Sequence, residues 1–182
     1  MEEPTARWFE SSHGNKERQH KYISERGRHG RATGIHARTK RLPGRLGDTL
    51  SKPLIVYWSS NSGGTRRVAE ALSTNTVELA EYDGTSPYVL LTPTYDRTRG
   101  GFTPKPVQTF LDKHAHLMVG VIGSGNRNFG DYYCQAAHDI SKQFNVPVLW
   151  RIEIMGSQED LTVIDSGMEQ HWQTLLDMRG LT

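Results

Sequence analysis

From residue 54 onward the chain alternates between two textures. "LIVYW" (54–58), "YVLLT" (88–92) and "LMVGVIG" (117–123) are apolar throughout, the pattern of strands buried on both faces. "TVELAEY" (76–82) alternates as a short edge strand does, and "VPVLWRIEI" (146–154) reads as a fifth strand. Between these runs apolar residues recur at helical spacing. Val68, Ala69 and Leu72 follow Thr65, a candidate helix cap. Val107, Phe110 and Leu111 share one face behind Pro104, which suits a first helical turn. Tyr133, Ala136, Ala137, Ile140 and Phe144 mark a helix over 131–144. A closing helix covers 159–178, opened by Ser157 and Asp160 as a capping box in which Asp replaces the usual Glu or Gln.

The resulting order, β-α-β-β-α-β-α-β-α, predicts an α/β fold: a doubly wound parallel sheet with helices on both faces. The step from the second strand to the third leaves room for a crossover with little or no helix between 82 and 88. Five strands and four helices in about 130 residues suit the flavodoxin-like strand order 2-1-3-4-5. Residues 1–50 carry no such pattern. Apolar residues are sparse there and Gly, Arg and His dominate the middle, so the segment lacks the apolar surface to offset its ordering entropy. The expected division is a basic, disordered extension over 1–50 and one domain over 51–182.

Charge follows the same division. Residues 1–50 hold 11 Lys and Arg against 6 Asp and Glu, a net of +5, and residues 51–182 hold 11 against 14, a net of −3. A nucleic-acid reading would rest on the extension alone and is not favoured. The single cysteine, Cys134, excludes an intrachain disulfide and a multi-cysteine metal cluster. No run approaches the ~20 apolar residues that span a bilayer, and no secretory h-region opens the chain. A soluble cytoplasmic protein is expected.

In doubly wound sheets ligands sit beyond the carboxyl ends of the strands, so the loops after strands 1, 3 and 4 deserve reading. After strand 1 comes "SSNSGGT" (59–65), whose small residues let backbone amides converge on an anion while hydroxyls add donors. It lacks the lysine of a Walker loop and the GxGxxG of a dinucleotide site. After strand 3 comes "PTYDRTRGGFTPKP" (93–106), long for such a loop, with Tyr95 and Phe102 able to stack on a flat ring and Gly100-Gly101 permitting close approach. After strand 4 comes "GSGNRNFGD" (123–131), with amides for a heterocycle rim and Phe129 for its face. Each loop alone also has an ordinary reading: a connection after strand 1, a solvated loop after strand 3, and a capped turn after strand 4, where Asn128 and Asp131 both cap well. Together they fit one planar phosphorylated ligand, most simply FMN. His114, His116 and His138 have no metal-ligand spacing, and no metal site is expected.

At these loops the chain resembles a known family. "YWSSNSGGTRRVAEAL", "PYVLLTPTY", "VGVIGSGNRNFGDYYCQA" and "VPVLWRIEIMGSQED" are similar to the NrdI proteins, flavodoxin-like partners of class Ib ribonucleotide reductase. The resemblance runs over residues 54–172, with "SGNRNFG" and "EIMGS" its most specific parts. It implies FMN held without covalent attachment, with the phosphate on Ser59, Ser60, Ser62, Gly63, Gly64 and Thr65. The isoalloxazine would lie between Thr94, Tyr95 and Asp96 on one side and Gly125, Asn126, Asn128, Phe129 and Gly130 on the other. It further implies that the reduced flavin reacts with O2 to supply superoxide or peroxide. That oxidant would assemble the dimanganese-tyrosyl radical cofactor of the reductase small subunit, a dimanganese or diiron protein. Electrons would come from a donor such as a flavodoxin reductase. The chain would then be an accessory redox flavoprotein, not a metabolic enzyme in its own right. Two departures stand out: Gly64 replaces a common Asn, and "DRTRGG" replaces a more glycine-rich stretch.

Charge adds a hint of its own. Arg97, Arg99, Lys105 and Arg127 fall in the two loops facing the flavin, where cations favour the anionic reduced flavin by Coulomb attraction. A general flavodoxin electron carrier, the alternative, would instead have an acidic rim. A flavin-free binding module would be colourless, and a nucleic-acid binder would lose steeply salt-dependent affinity when residues 1–50 are removed.

Overall fold

In the computed structural model, which describes residues 52–95 and 102–182, the apolar runs form a five-stranded parallel sheet in the order β2-β1-β3-β4-β5. The strands are β1 (Leu54–Tyr57), β2 (Asn75–Glu78), β3 (Tyr88–Pro93), β4 (Met118–Gly125) and β5 (Val148–Glu153). Three α-helices connect them, α1 (Gly64–Ala71), α2 (Lys105–His114) and α3 (Gln135–Phe144), and α4 (Gln158–Arg179) follows β5. The expected order and topology are therefore observed. The reading of residues 1–50 lies outside the described residues, as do Asp96, Arg97, Arg99 and Gly100-Gly101 of the loop after β3.

The continuous apolar runs are explained by what covers each face. Ile55, Tyr57, Val89 and Leu91 point to one side, under α1 and α4, where Val68, Ile164, Met168 and Trp172 pack. Val56, Tyr88 and Leu90 point to the other, under α2 and α3, with Val107, Phe110 and Ile140. Successive strand residues alternate sides, so a strand covered on both must be apolar at every position. β2 is the edge: its four residues are half-buried or exposed.

Boundaries differ in instructive ways. β2 ends at Glu78, and residues Leu79–Glu81 turn as a 3-10 helix before a crossover to β3. Thr65 lies inside α1, whose cap is Gly63 in the left-handed conformation (φ 73°) with no capping side chain. Pro104 is the cap of α2, and Pro106 occupies its first turn. The helix expected over 131–144 begins four residues later, behind a 3-10 turn (Arg127–Tyr132) kinked at Gly130. The capping box of α4 is as expected: Asp160 N donates to Ser157 Oγ at 3.1 Å and Ser157 N donates to Asp160 Oδ2 at 2.8 Å.

One side chain clamps α4 to the α1–β2 turn. The Asp165 carboxylate accepts bonds from Ser73 N, Thr74 N and Thr74 Oγ1 at 2.9, 2.9 and 2.7 Å. Bonds to a charged group contribute about 1.5–3 kcal/mol when sheltered and less when water competes, as it does here. Asp165→Ala is expected to destabilise the domain by about 1–2 kcal/mol, read as a lower urea midpoint at unchanged slope. An unaltered midpoint would show the clamp to be idle.

Candidate functional site at the carboxyl edge of the sheet

The loop after β1 gathers backbone amides and hydroxyls ahead of α1. Gly63 N donates to Ser60 O at 2.9 Å, closing a turn that only a residue tolerant of positive φ completes without strain. The first α1 amide bonded within the turn is Arg67 N, to Gly63 O at 3.0 Å, so the amides of Gly64, Thr65 and Arg66 precede the ladder. The hydroxyls of Ser60 and Ser62 meet at 2.7 Å. Thr65 is buried (4 % exposed), and its hydroxyl has no hydrogen-bond partner among the described residues. Ser59 is also buried, and its hydroxyl donates to Ser60 O at 3.2 Å, so it shapes the loop. A Cβ added at Gly64 would meet no atom within 4 Å, so a larger residue fits there. Amides, hydroxyls and a helix N-terminus converging in one loop suit a phosphate group.

The ends of β3 and β4 are tied together. Thr94 N donates to Ser124 O at 2.8 Å, and the Thr94 hydroxyl accepts from Ala136 N at 3.3 Å, linking β3 to the start of α3. Tyr95 meets Trp58 edge to face at 5.4 Å, and its amide donates to Phe102 O at 2.7 Å. Phe102 stacks on Tyr132 at 5.1 Å, so one of its faces joins the β3 and β4 loops. The Asn126 side chain accepts from Asn128 N at 2.8 Å and sets the turn. Phe129 is 44 % exposed. Gly125 is held against α3: a Cβ there would lie 3.0 Å from Cys134 N.

Arg127 has a partner that its sequence neighbourhood did not reveal. Its Nε lies 3.0 Å from Glu153 Oε2, and its amide donates to the same carboxylate at 3.1 and 3.2 Å. Of the four loop cations named above, Lys105 and Arg127 are described, and Arg127 is thus paired. The Tyr133 ring lies beside both Arg127 and Arg151, whose guanidinium carbons are 5.7 and 5.5 Å from its centroid. Burial pushes the Tyr133 hydroxyl up to about 12. A cleft of about 550 Å³ adjoins this cluster, lined by Arg127, by Trp150, Arg151 and Glu153 of β5, and by Gly156 and the start of α4. Among the described residues no His, Cys, Asp and Glu are grouped to hold a metal ion. His138 is half-buried, and desolvation, then Arg151 and Lys142, lower its pKa.

A family model and two relatives place the chain. A family model described as "NrdI Flavodoxin like" matches residues 56–166, more than half of it. The chain belongs to the NrdI flavodoxin-like family. It is 41 % identical over 125 residues to Protein NrdI of Ruegeria sp. (strain TM1040), covering 65 % of this chain and 89 % of that one. It is 42 % identical over 127 residues to Protein NrdI of Brucella ovis, covering 65 % and 94 %. A short-chain flavodoxin associated with a PDU bacterial microcompartment is similar over 70 % of this chain and 98 % of its own, at 18 % identity and TM-score 0.48.

For an NrdI-family chain, the loop after β5 is the part the three-loop reading passed over. Ile154 N donates to Gly125 O at 2.7 Å and Ser124 Oγ donates to Ile154 O at 3.0 Å, so this loop leans on β4. Ile154 has φ 51°, an outlier for a β-branched residue. Its signal in the sequence was the "EIMGS" motif itself, which marks a family but names no contact. No helix among the described residues of this NrdI-family chain is long and apolar enough to cross a membrane.

Proposed function

We propose that this chain binds FMN and serves as a redox activator of class Ib ribonucleotide reductase. The observation that carries the reading is the anion cradle after β1 in a chain of the NrdI family. The amides of Gly64 and Thr65 and the hydroxyls of Ser60, Ser62 and Thr65 would hold the phosphate, with Ser59 and Gly63 shaping the turn. The loops of Thr94-Tyr95-Asp96 and of Gly125, Asn126, Asn128, Phe129 and Gly130 would flank the ring. Held there in its reduced form, FMN would supply electrons to O2 as the source of superoxide or peroxide for the dimanganese site of the small subunit. The chain's own residues then bind the phosphate, fix the loops around the ring and present a surface to the partner. A reductase of the flavodoxin-reductase class would return the electrons.

A protein partner is favoured by what the rim exposes. Four of the five large exposed apolar residues named among those described sit on the β4 and β5 loops: Phe129, Tyr132, Ile154 and Met155 are 44–51 % exposed. Exposed apolar groups gathered at one edge mark an interaction face. Ile154 adds backbone strain of about 1–2 kcal/mol, which an asparagine would relieve. Ile154→Asn is therefore expected to leave thermal stability equal or higher while weakening partner binding about fivefold or more. Calorimetric titration with the small subunit checks this. Unchanged affinity would remove Ile154 from the face.

The decisive experiment is assembly of the tyrosyl radical in the manganese-loaded small subunit, with and without this chain, its reductant and O2. Radical formed only in its presence supports the reading. Radical yield independent of the chain, with bound yellow flavin, would turn the assignment toward a general electron carrier.

A further inference from the structure

Glu153 closes β5, one strand away from the β4 loop, yet its carboxylate makes three contacts to a single residue of that loop. It accepts the Arg127 amide at 3.1 and 3.2 Å and pairs with Arg127 Nε at 3.0 Å. Arg127 opens the turn Arg127–Tyr132, so the amide contact fixes where that turn begins. The side-chain contact acts on charge. An isolated guanidinium would attract an anionic reduced ring more than a neutral oxidised one, and a carboxylate 3.0 Å away offsets that preference.

We propose that Glu153 is a positioning residue of the cofactor site, which clamps the 126–130 loop and offsets the charge that Arg127 presents to the bound ring. This rests on the FMN reading above. Both side chains are well exposed, at 76 % for Arg127 and 36 % for Glu153, so water and salt screen the effect without abolishing it. The clamp and the charge are separable. Gln at 153 keeps an acceptor for the Arg127 amide and loses the charge. Ala loses both.

The test uses the full chain and two readouts, oxidised-FMN affinity and the two-electron midpoint potential, in Glu153→Gln, Glu153→Ala, Arg127→Met and the Glu153→Gln/Arg127→Met double variant. Thermal unfolding of each apoprotein verifies the fold. Glu153→Gln should hold oxidised FMN within about threefold of the wild type while raising the reduced-to-oxidised affinity ratio about three- to tenfold. A tenfold rise is about 30 mV for a two-electron couple. Arg127→Met should lower the ratio, and the double variant should return near the wild type. Glu153→Ala should bind oxidised FMN at least about fivefold more weakly than Glu153→Gln, because the amide acceptor is gone. An unmoved potential in Glu153→Gln, or a double variant keeping the full Glu153→Gln shift, overturns the charge role. Equal FMN affinity for Ala and Gln overturns the clamp. Failure of the wild type itself to bind FMN would instead sink the cofactor reading.

Discussion

Thr65→Val combined with Ser62→Ala is expected to weaken FMN binding at least tenfold. Each hydroxyl removed would forfeit a hydrogen bond to a charged phosphate, worth about 1.5–3 kcal/mol, and 1.4 kcal/mol is already a factor of ten. The apoprotein should hardly notice. Thr65 bonds to no protein group through its hydroxyl among the described residues, and valine has nearly its shape. Ser62 loses only an exposed bond to Ser60. Stability should thus stay within about 0.5 kcal/mol of the wild type, because valine keeps the buried volume and no protein hydrogen bond of Thr65 is lost. Titration of apoprotein with FMN, beside a urea melt, separates the two quantities. Unchanged affinity would take the β1 loop out of the site, and a parallel loss of stability would make the hydroxyls structural.

Gly123→Val should do the reverse and damage the fold first. A Cβ at Gly123 would lie 2.9 Å from the Cβ atoms of both Cys134 and Ala137. Neither neighbour has a flexible end to swing away, so the start of α3 must move. Overpacking of this kind costs about 1–3 kcal/mol, and valine adds two methyl groups beyond the clashing atom. Because Thr94 also anchors the start of α3, through Ala136 N, the shift should reach both ring-flanking loops. The expected outcome is a lower urea midpoint together with weaker FMN binding. A variant as stable as the wild type would show that α3 can slide on β4.

The fold was legible because its signals are local. A strand covered on both faces is apolar at every position, and α1 to α4 each carry an apolar stripe at helical spacing, so period alone separates the two. The two faces of the sheet can be assigned once the order is known, since Ile55 and Val56 must point to opposite sides. The strand-to-helix turn of small residues after β1 was also legible, because apolar runs of different period bound it on both sides. What escaped depends on contacts across the chain or on a single dihedral. Arg127 and Glu153 are 26 residues apart, and nothing in either segment says that they meet. The start of α3 was placed at residue 131 because Tyr133 fits the helical stripe. Gly130 at φ 54° and Cys134 at φ 58° break the backbone first. The stacking of Phe102 on Tyr132, which belongs to another loop, has no local signal either. Ile154 at positive φ runs against backbone preference, and local rules fail most readily at such strained positions.

Cys134 is the chain's one cysteine, and it lies inside the packing that Gly123 makes possible. Its Sγ donates to Gly123 O at 3.4 Å, and burial pushes the thiol up to about 11. The thiol is thereby favoured over the thiolate. Peroxide attacks the thiolate, so this sulfur is both hidden and chemically quiet. A protein proposed to generate a diffusible oxidant at its surface therefore carries no fast scavenger of that oxidant in its own core. An oxidant formed there as proposed would find this sulfur shielded, and repeated cycles are expected to leave it a thiol.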